Sequence, residues 1–163
     1  MAIRGLRRED RSRIASLLEA TNRFTPIEIG VALELIDIYF NQPEQKDYRF
    51  ACAVDAEDCV NGYVCFGPTP MTDRTYDLYW IAVDPNQQRR GLGDELLLYV
   101  EAQLRAENGR MLMIETSSQP QYAPTHHFYL KHHYREVARI PDFYSEGDDR
   151  VIYQKVFVSK PAK

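Results

Sequence analysis

Cysteine is scarce in this chain: Cys52, Cys59 and Cys65 are the only three among 163 residues. An odd number without zinc-type pairs gives neither a disulfide framework nor a cysteine-built metal fold. The reading is reduced thiols of a cytoplasmic protein, two or three of them packed in strands. Long apolar runs are missing, so nothing here spans a bilayer. The opening MAIRGLRRED has no apolar core of the signal-peptide kind. There is no surplus of positive charge either. Twenty Lys and Arg stand against 24 Asp and Glu, a net charge of −4, and the basic residues are scattered. That leaves no footprint for nucleic acid. Repeats, linkers and low-complexity tracts are also absent. The expectation is one domain over residues 1–163, with neither a membrane nor a nucleic acid as partner.

What is present is a regular alternation of strand and helix signals. Residues 2–6 read as a short strand and 9–21 as a helix with Ile14, Leu17 and Leu18 on one stripe. The next helix start is complete in sequence. Thr25 is the N-cap, Pro26 the first helical residue and Glu28 the closing member of a capping box, with Phe24 and Ile29 spaced as a hydrophobic staple. That helix should run to about Tyr39. Residues 48–55 and 61–68 read as a hairpin, and TYDLYWIAVD (75–84) is rich in strand-forming types. Leu92, Leu96, Tyr99, Val100 and Leu104 have helical spacing, with Gly109 as a stop. A buried strand at 110–116, a weaker helix at 123–132 and a final strand pair, YREVARI and RVIYQKVF, complete the chain. The order β-α-α-β-β-β-α-β-α-β-β implies an α/β fold of the α+β type. Its mixed, mostly antiparallel sheet carries one parallel crossover and is flanked by helices.

Between the strand at 75–84 and the helix from Leu92 lies QQRRGLG. Gly91 and Gly93 permit positive φ and close approach to the backbone. The helix that starts there leaves its first N–H groups without intrahelical partners, and these favour an anion. Arg89 and Arg90 add guanidinium forks suited to phosphate. The loop lacks the Gly-Lys-Ser/Thr of a Walker motif. It also lacks the third glycine of a dinucleotide fingerprint, since that position is Leu96. From the short motif alone, a diphosphate cradle and a plain glycine turn both stand.

The wider stretch IAVDPNQQRRGLGDELL resembles the signature of the GNAT superfamily of acyl-CoA N-acyltransferases, with Gln88-Arg89-Arg90-Gly91-Leu92-Gly93 as its core. THHFYLKHHYREV is similar to that family's Phe-Tyr-x-x-x-Gly-Phe helix end, and the order of elements matches over nearly the whole chain. The resemblance implies a GNAT fold whose strands splay at the acyl-CoA site. It further implies that Gln88, Arg89, Arg90, Gly91, Leu92, Gly93 and Asp94 hold the diphosphate of acetyl-CoA, used as co-substrate without a metal. Ile81, Ala82 and Val83 would bond the pantetheine arm, with a bulge in their strand opening the slot. Two departures stand out. Asp94 sets a negative charge beside the phosphates, so its side chain should turn away. His133 stands where the family usually has glycine.

The implied activity is transfer of an acetyl group from acetyl-CoA to a primary amine, by direct attack in a ternary complex. A protein N-terminal or lysine acetyltransferase and a non-catalytic CoA-binding regulatory module are the alternatives. The acceptor is a small molecule or a peptide, and family members often pair as homodimers. By the same resemblance Tyr129 is the general acid for the leaving thiolate, although a helix-packing tyrosine reads the same way in sequence. Asp77, four residues before Ile81, is the candidate base for an acceptor ammonium of pKa about 10; it could equally be an outward strand carboxylate. His126, one turn before Tyr129, is another base or a substrate contact. His126, His127, His132 and His133 lack zinc-motif partners. In IPDFYSEGDDRVIY, Phe143 and Tyr144 stand among Asp142, Glu146, Asp148 and Asp149. Such a loop suits a cationic amine through cation–π and charge attraction, or serves only as a solvated turn.

Overall fold

The computed structural model describes residues 1–157, and its elements follow the expected order. They are β1 (Ala2–Arg4), α1 (Asp10–Ala20), α2 (Pro26–Asn41), β2 (Arg49–Val54), β3 (Val60–Pro68) and β4 (Thr75–Val83). After these come α3 (Leu92–Ala106), β5 (Met111–Ser117), α4 (Ala123–Lys131), β6 (Arg135–Ser145) and β7 (Asp148–Val156). The strands form a seven-stranded sheet in the order β1-β2-β3-β4-β5-β7-β6. Every neighbouring pair is antiparallel except β4 and β5, which are parallel through the α3 crossover.

Strand alternation divides the core between the two faces of the sheet. One face buries Val64, Leu78, Leu112 and Val151 under α3, which contributes Leu96, Leu97, Val100 and Leu104. These four are fully buried, and each contributes about 2 kcal/mol of transfer free energy. The other face carries Phe50, Cys52, Tyr63 and Cys65 under Ile14, Leu17 and Leu18 of α1 and Ile29, Ala32 and Ile36 of α2. Burial pushes the Cys52 thiol up to about 12 and raises Cys65 too, so neither is a ready nucleophile. Cys59 is exposed, in the turn before β3.

The start of α2 is as the sequence indicates. Thr25 accepts from the Glu28 amide at 3.2 Å, and the Glu28 carboxylate accepts from the Thr25 amide at 2.7 Å. Phe24 and Ile29 pack in the same cluster.

Two features position the site. In the β3–β4 ladder Cys65 faces Trp80 and Phe66 faces Leu78, so Tyr79 is an extra residue bulged out of β4. In the β4–β5 ladder the pairing covers only Thr75–Leu78 against Met111–Ile114. Past that point β4 stays paired with β3 alone and β5 with β7 alone. The strands therefore part just where the bulge falls, and the β4 edge facing β5 keeps backbone donors and acceptors without a strand partner.

The last hairpin departs from the sequence reading. β6 runs on to Ser145, and only Glu146 and Gly147 separate it from β7. Its ladder breaks between Ile140 and Ser145, with Asp142 at φ 54°. Pro141 cannot donate to a ladder, and a left-handed Asp142 bends the strand. The segment is extended yet unpaired, which a loop-like composition conceals.

Candidate active site

The parted strands border a cleft of about 930 Å³. Tyr79–Val83 of β4 and Glu115–Ser117 of β5 face it from the sheet. The loop before α3 closes one end. The α1–α2 connection with Phe24, the first turn of α2 with Glu28, and α4 with Phe128 and the preceding Tyr122 form its walls.

The loop end is built for an anion. Arg89 and Gly91 both have positive φ, 65° and 79°. Gly91 is the N-cap of α3 and supplies no side chain to the helix end. The first intrahelical bond runs from the Glu95 amide to the Gly91 carbonyl at 2.9 Å. The amides of Leu92, Gly93 and Asp94 are thus left for a ligand. A Cβ on Gly91 would project into open space, so it is the left-handed φ that calls for glycine here. Gly93 lies against Phe128, whose ring atoms would be 3.5 Å from an added Cβ. Gln88, Arg89, Gly91, Leu92, Gly93 and Asp94 all border the cleft, whereas Arg90 is exposed and does not. A diphosphate fits this donor set.

Asp94 is neutralised from α4. Its Oδ1 accepts from Lys131 Nζ at 2.8 Å and from His132 Nε2 at 2.7 Å. The Lys131 hydrogen bond, foremost among the causes, holds the Asp94 carboxyl below the usual range. α4 ends at Lys131, with His132 as its C-cap, and the next residue, His133, has φ 66°. The His133 amide donates to Leu130 O and the Tyr134 amide to Tyr129 O, both at 3.0 Å. This is a Schellman motif, and the position that glycine usually fills keeps its left-handed geometry with an imidazole attached.

Ile81, Ala82 and Val83 border the cleft on the unpaired part of β4. Tyr129 borders it too and is 3% exposed, with its ring against Phe128, Tyr134 and Tyr153. Desolvation raises its pKa above the ordinary phenol value, so it is a neutral donor at physiological pH.

Asp77 lies elsewhere. It borders a smaller cavity of about 270 Å³, with Tyr79, Met113, Glu115 and Tyr144, and its Oδ2 accepts from Thr69 Oγ1 at 2.6 Å. Tyr79, Glu115 and Tyr144 also border the main cleft, so the two spaces adjoin. His126 is absent from the cleft lining. Its Nε2 lies 2.8 Å from Ser117 O, and its ring lies against Tyr153. Tyr144 reaches the cleft, but Phe143 is half exposed under the Arg150 guanidinium. Asp142 and Asp149 tie the hairpin turn, accepting from the Gly147 and Asp142 amides at 2.7 and 3.0 Å. Asp148 borders the cleft and accepts from Ser117 Oγ at 2.5 Å.

Several wall residues escape the sequence reading. Phe24 and Trp80 meet edge to face at 5.1 Å, and both border the cleft. Glu115, the single acid of β5, pairs with Arg150 at its rim. Its place opposite buried Ile114 and Thr116 in the alternation was the available signal.

The family model described as acetyltransferase (GNAT) family matches residues 14–134. The chain belongs to the GNAT acetyltransferase family. A structure from Desulfovibrio desulfuricans assigned to the GNAT acetyltransferases is 41% identical, with a TM-score of 0.91, covering 95% of this chain and 98% of that one. An aminoglycoside 6'-N-acetyltransferase complexed with coenzyme A shares the fold at 17% identity and a TM-score of 0.76, covering 99% of this chain and all of that one. The ribosomal-protein-S18-alanine N-acetyltransferase of Escherichia coli does so at 17% identity and 0.76, covering 99% and 98%. No protein of curated function matches this chain in sequence. Among the described residues, no helix of this GNAT protein is long and apolar enough to cross a membrane. No cluster of His, Cys, Asp or Glu there could hold a metal ion.

Proposed function

We propose that this protein transfers an acetyl group from acetyl-CoA to the primary amine of a small molecule, by direct attack in a ternary complex. The observation that carries the reading is the parting of β4 from β5 beyond Leu78, in line with the uncapped N-terminus of α3. Acetyl-CoA supplies the thioester. The amides of the 88–94 loop bind its diphosphate. Ile81–Val83 hold the arm through the unpaired edge of β4, and a β4 amide meets the oxygen on which charge develops.

Tyr129 donates its proton to the departing sulfur. Its enclosure keeps it protonated until that moment. Asp77 takes the ammonium proton through water in the side cavity. One of its oxygens accepts from a neutral hydroxyl, Thr69, whereas Glu115 is engaged by the Arg150 cation. Asp77 is therefore the freer of the two bases bordering that space.

A small acceptor is favoured over a polypeptide because the cleft walls are tied together. Arg23 Nη1 donates to Thr125 Oγ1, and Tyr122 Oη donates to Arg23 O, both at 3.3 Å. These bonds join the α1–α2 connection to the start of α4 across the space an extended peptide would need. Glu28, Asp148, Tyr122 and Tyr144 around it suit a cationic, amine-bearing guest.

A mass-spectrometric screen of amine mixtures and peptides with acetyl-CoA tests this. Acetylated small amines are expected. Acetylation of peptide N-termini or lysines alone would replace the small acceptor with a polypeptide. Acetyl-CoA binding without transfer to any amine would leave a binding module instead of an enzyme.

A further inference from the structure

Between the last residue of β4 and the cofactor loop lies Asp84, a carboxylate 6% exposed. Four interactions hold it. Its amide donates to Asn61 O, its carbonyl accepts from the Gln87 amide, and its Oδ1 accepts from the Asn86 amide, each at 2.8 Å. Its Oδ2 is ion-paired with Arg13 Nη2, and Arg13 Nε donates to Val60 O at 2.9 Å. Arg13 belongs to α1, on the sheet face opposite α3. One guanidinium thus ties a surface helix, the start of β3 and the turn that launches the loop.

The chain between this anchor and α3 has little other support. It carries two left-handed residues, Arg89 and Gly91, and joins no strand ladder. The amides of Leu92, Gly93 and Asp94 are set by α3 itself, whereas those of Gln88–Gly91 are placed by where Asp84–Gln87 sets them down. Anion recognition by backbone amides tolerates about 0.5 Å of error before affinity falls.

We propose that Arg13 and Asp84 are positioning residues for acetyl-CoA binding: they fix the origin of the 88–91 segment so that its amides converge with those at the start of α3 on the diphosphate. The proposal rests on the reading of that loop as the cofactor cradle. Arg13 touches neither cofactor nor acceptor and acts through Asp84. Both members of the pair are needed, because a buried carboxylate left without its cation turns toward water and carries the turn with it.

Calorimetric titration of coenzyme A into wild type, Arg13→Gln and Asp84→Asn tests it, at a temperature where circular dichroism shows each protein folded. Asp84→Asn keeps an acceptor for the Asn86 amide and loses only the charge. Asp10→Asn is the control. It weakens another ion pair of α1, that of Asp10 with Arg4, whose partner is on β1 and not on the loop. The two loop-anchor variants should bind coenzyme A at least about tenfold more weakly, a modest part of the loss that an ångström of misplacement produces. Asp10→Asn should bind as wild type does. With an accepted amine, Arg13→Gln should raise KM for acetyl-CoA while kcat at saturation stays within about twofold. Arg13→Lys should recover little, since an ammonium lacks the rigid fork by which the guanidinium reaches Asp84 and Val60 O from separate nitrogens. Equal affinity of wild type and Arg13→Gln overturns the proposal, as does an equal loss in Asp10→Asn, which would show a general stability effect. If wild type itself does not bind coenzyme A, the cradle reading fails first and this inference with it.

Discussion

Asp94 and His132 are joined at 2.7 Å across the gap between α3 and α4. A carboxylate at neutral pH only accepts, so the proton of this bond sits on His132 Nε2. The contact lies at the mouth of the proposed anion site, and Lys131 completes it at 2.8 Å. A negative residue in the first turn of α3 suits the helix dipole, while its charge is cancelled before it meets a phosphate.

Removing that cancellation should weaken coenzyme A. Lys131→Ala leaves Asp94 more negative toward the ligand, so affinity should fall several-fold at low salt and less at high salt. Asp94→Asn added to Lys131→Ala should restore it. Calorimetry at two ionic strengths reads both effects, and an unchanged affinity in Lys131→Ala would place the phosphates elsewhere. The Asp94 pKa is depressed in the folded state, so the interaction stabilises above about pH 4, the unfolded value, and is lost as pH falls through the folded one.

His133→Gly should stabilise the protein. A non-glycine residue in the left-handed region costs about 1 kcal/mol, and here the Schellman bonds already fix that geometry. For a chain of this size the melting temperature should rise by about 2–4 °C. A fall would mean that the imidazole makes a compensating contact.

Tyr129→Phe should lower kcat by about 10²-fold or more and leave coenzyme A affinity unchanged. The raised pKa of Tyr129 keeps it protonated beyond pH 10, so no loss of rate from its ionisation should appear below that. Asp77→Asn should lower kcat/KM by about 10²-fold, because an amide cannot take the ammonium proton. If Glu115→Gln causes that loss instead, Glu115 is the base.

Gly91→Glu should abolish coenzyme A binding while the fold persists. The new residue would need a left-handed φ and would bring a negative charge to the N-cap of α3, beside the amides meant for the diphosphate. Calorimetry and circular dichroism together read this. Retained affinity would remove the cradle assignment.

The element order and the capping box of α2 were legible because each rests on local spacing. Thr25 and Glu28 are three residues apart, and Leu96, Val100 and Leu104 repeat at helical period. The cofactor loop was legible because glycine and arginine concentrate there for a backbone reason. The cleft walls were not. Trp80 meets Phe24, and Tyr144 borders both spaces, only through the tertiary fold. A bulge in β4 was expected through the family resemblance, but its place at Tyr79 comes from the pairing of two strands, and no residue in β4 announces it. His126 is one turn from Tyr129 in sequence, yet it faces Ser117 O and Tyr153, and strand pairing sets Asp77 in the side cavity that adjoins the cleft.

A crystal structure of the protein with coenzyme A bound tests the account most directly. It should place the diphosphate within hydrogen-bonding distance of the 88–94 amides, with the pantetheine arm running between β4 and β5 past Tyr79. A coenzyme bound on any other surface, with those amides facing only water, would contradict it.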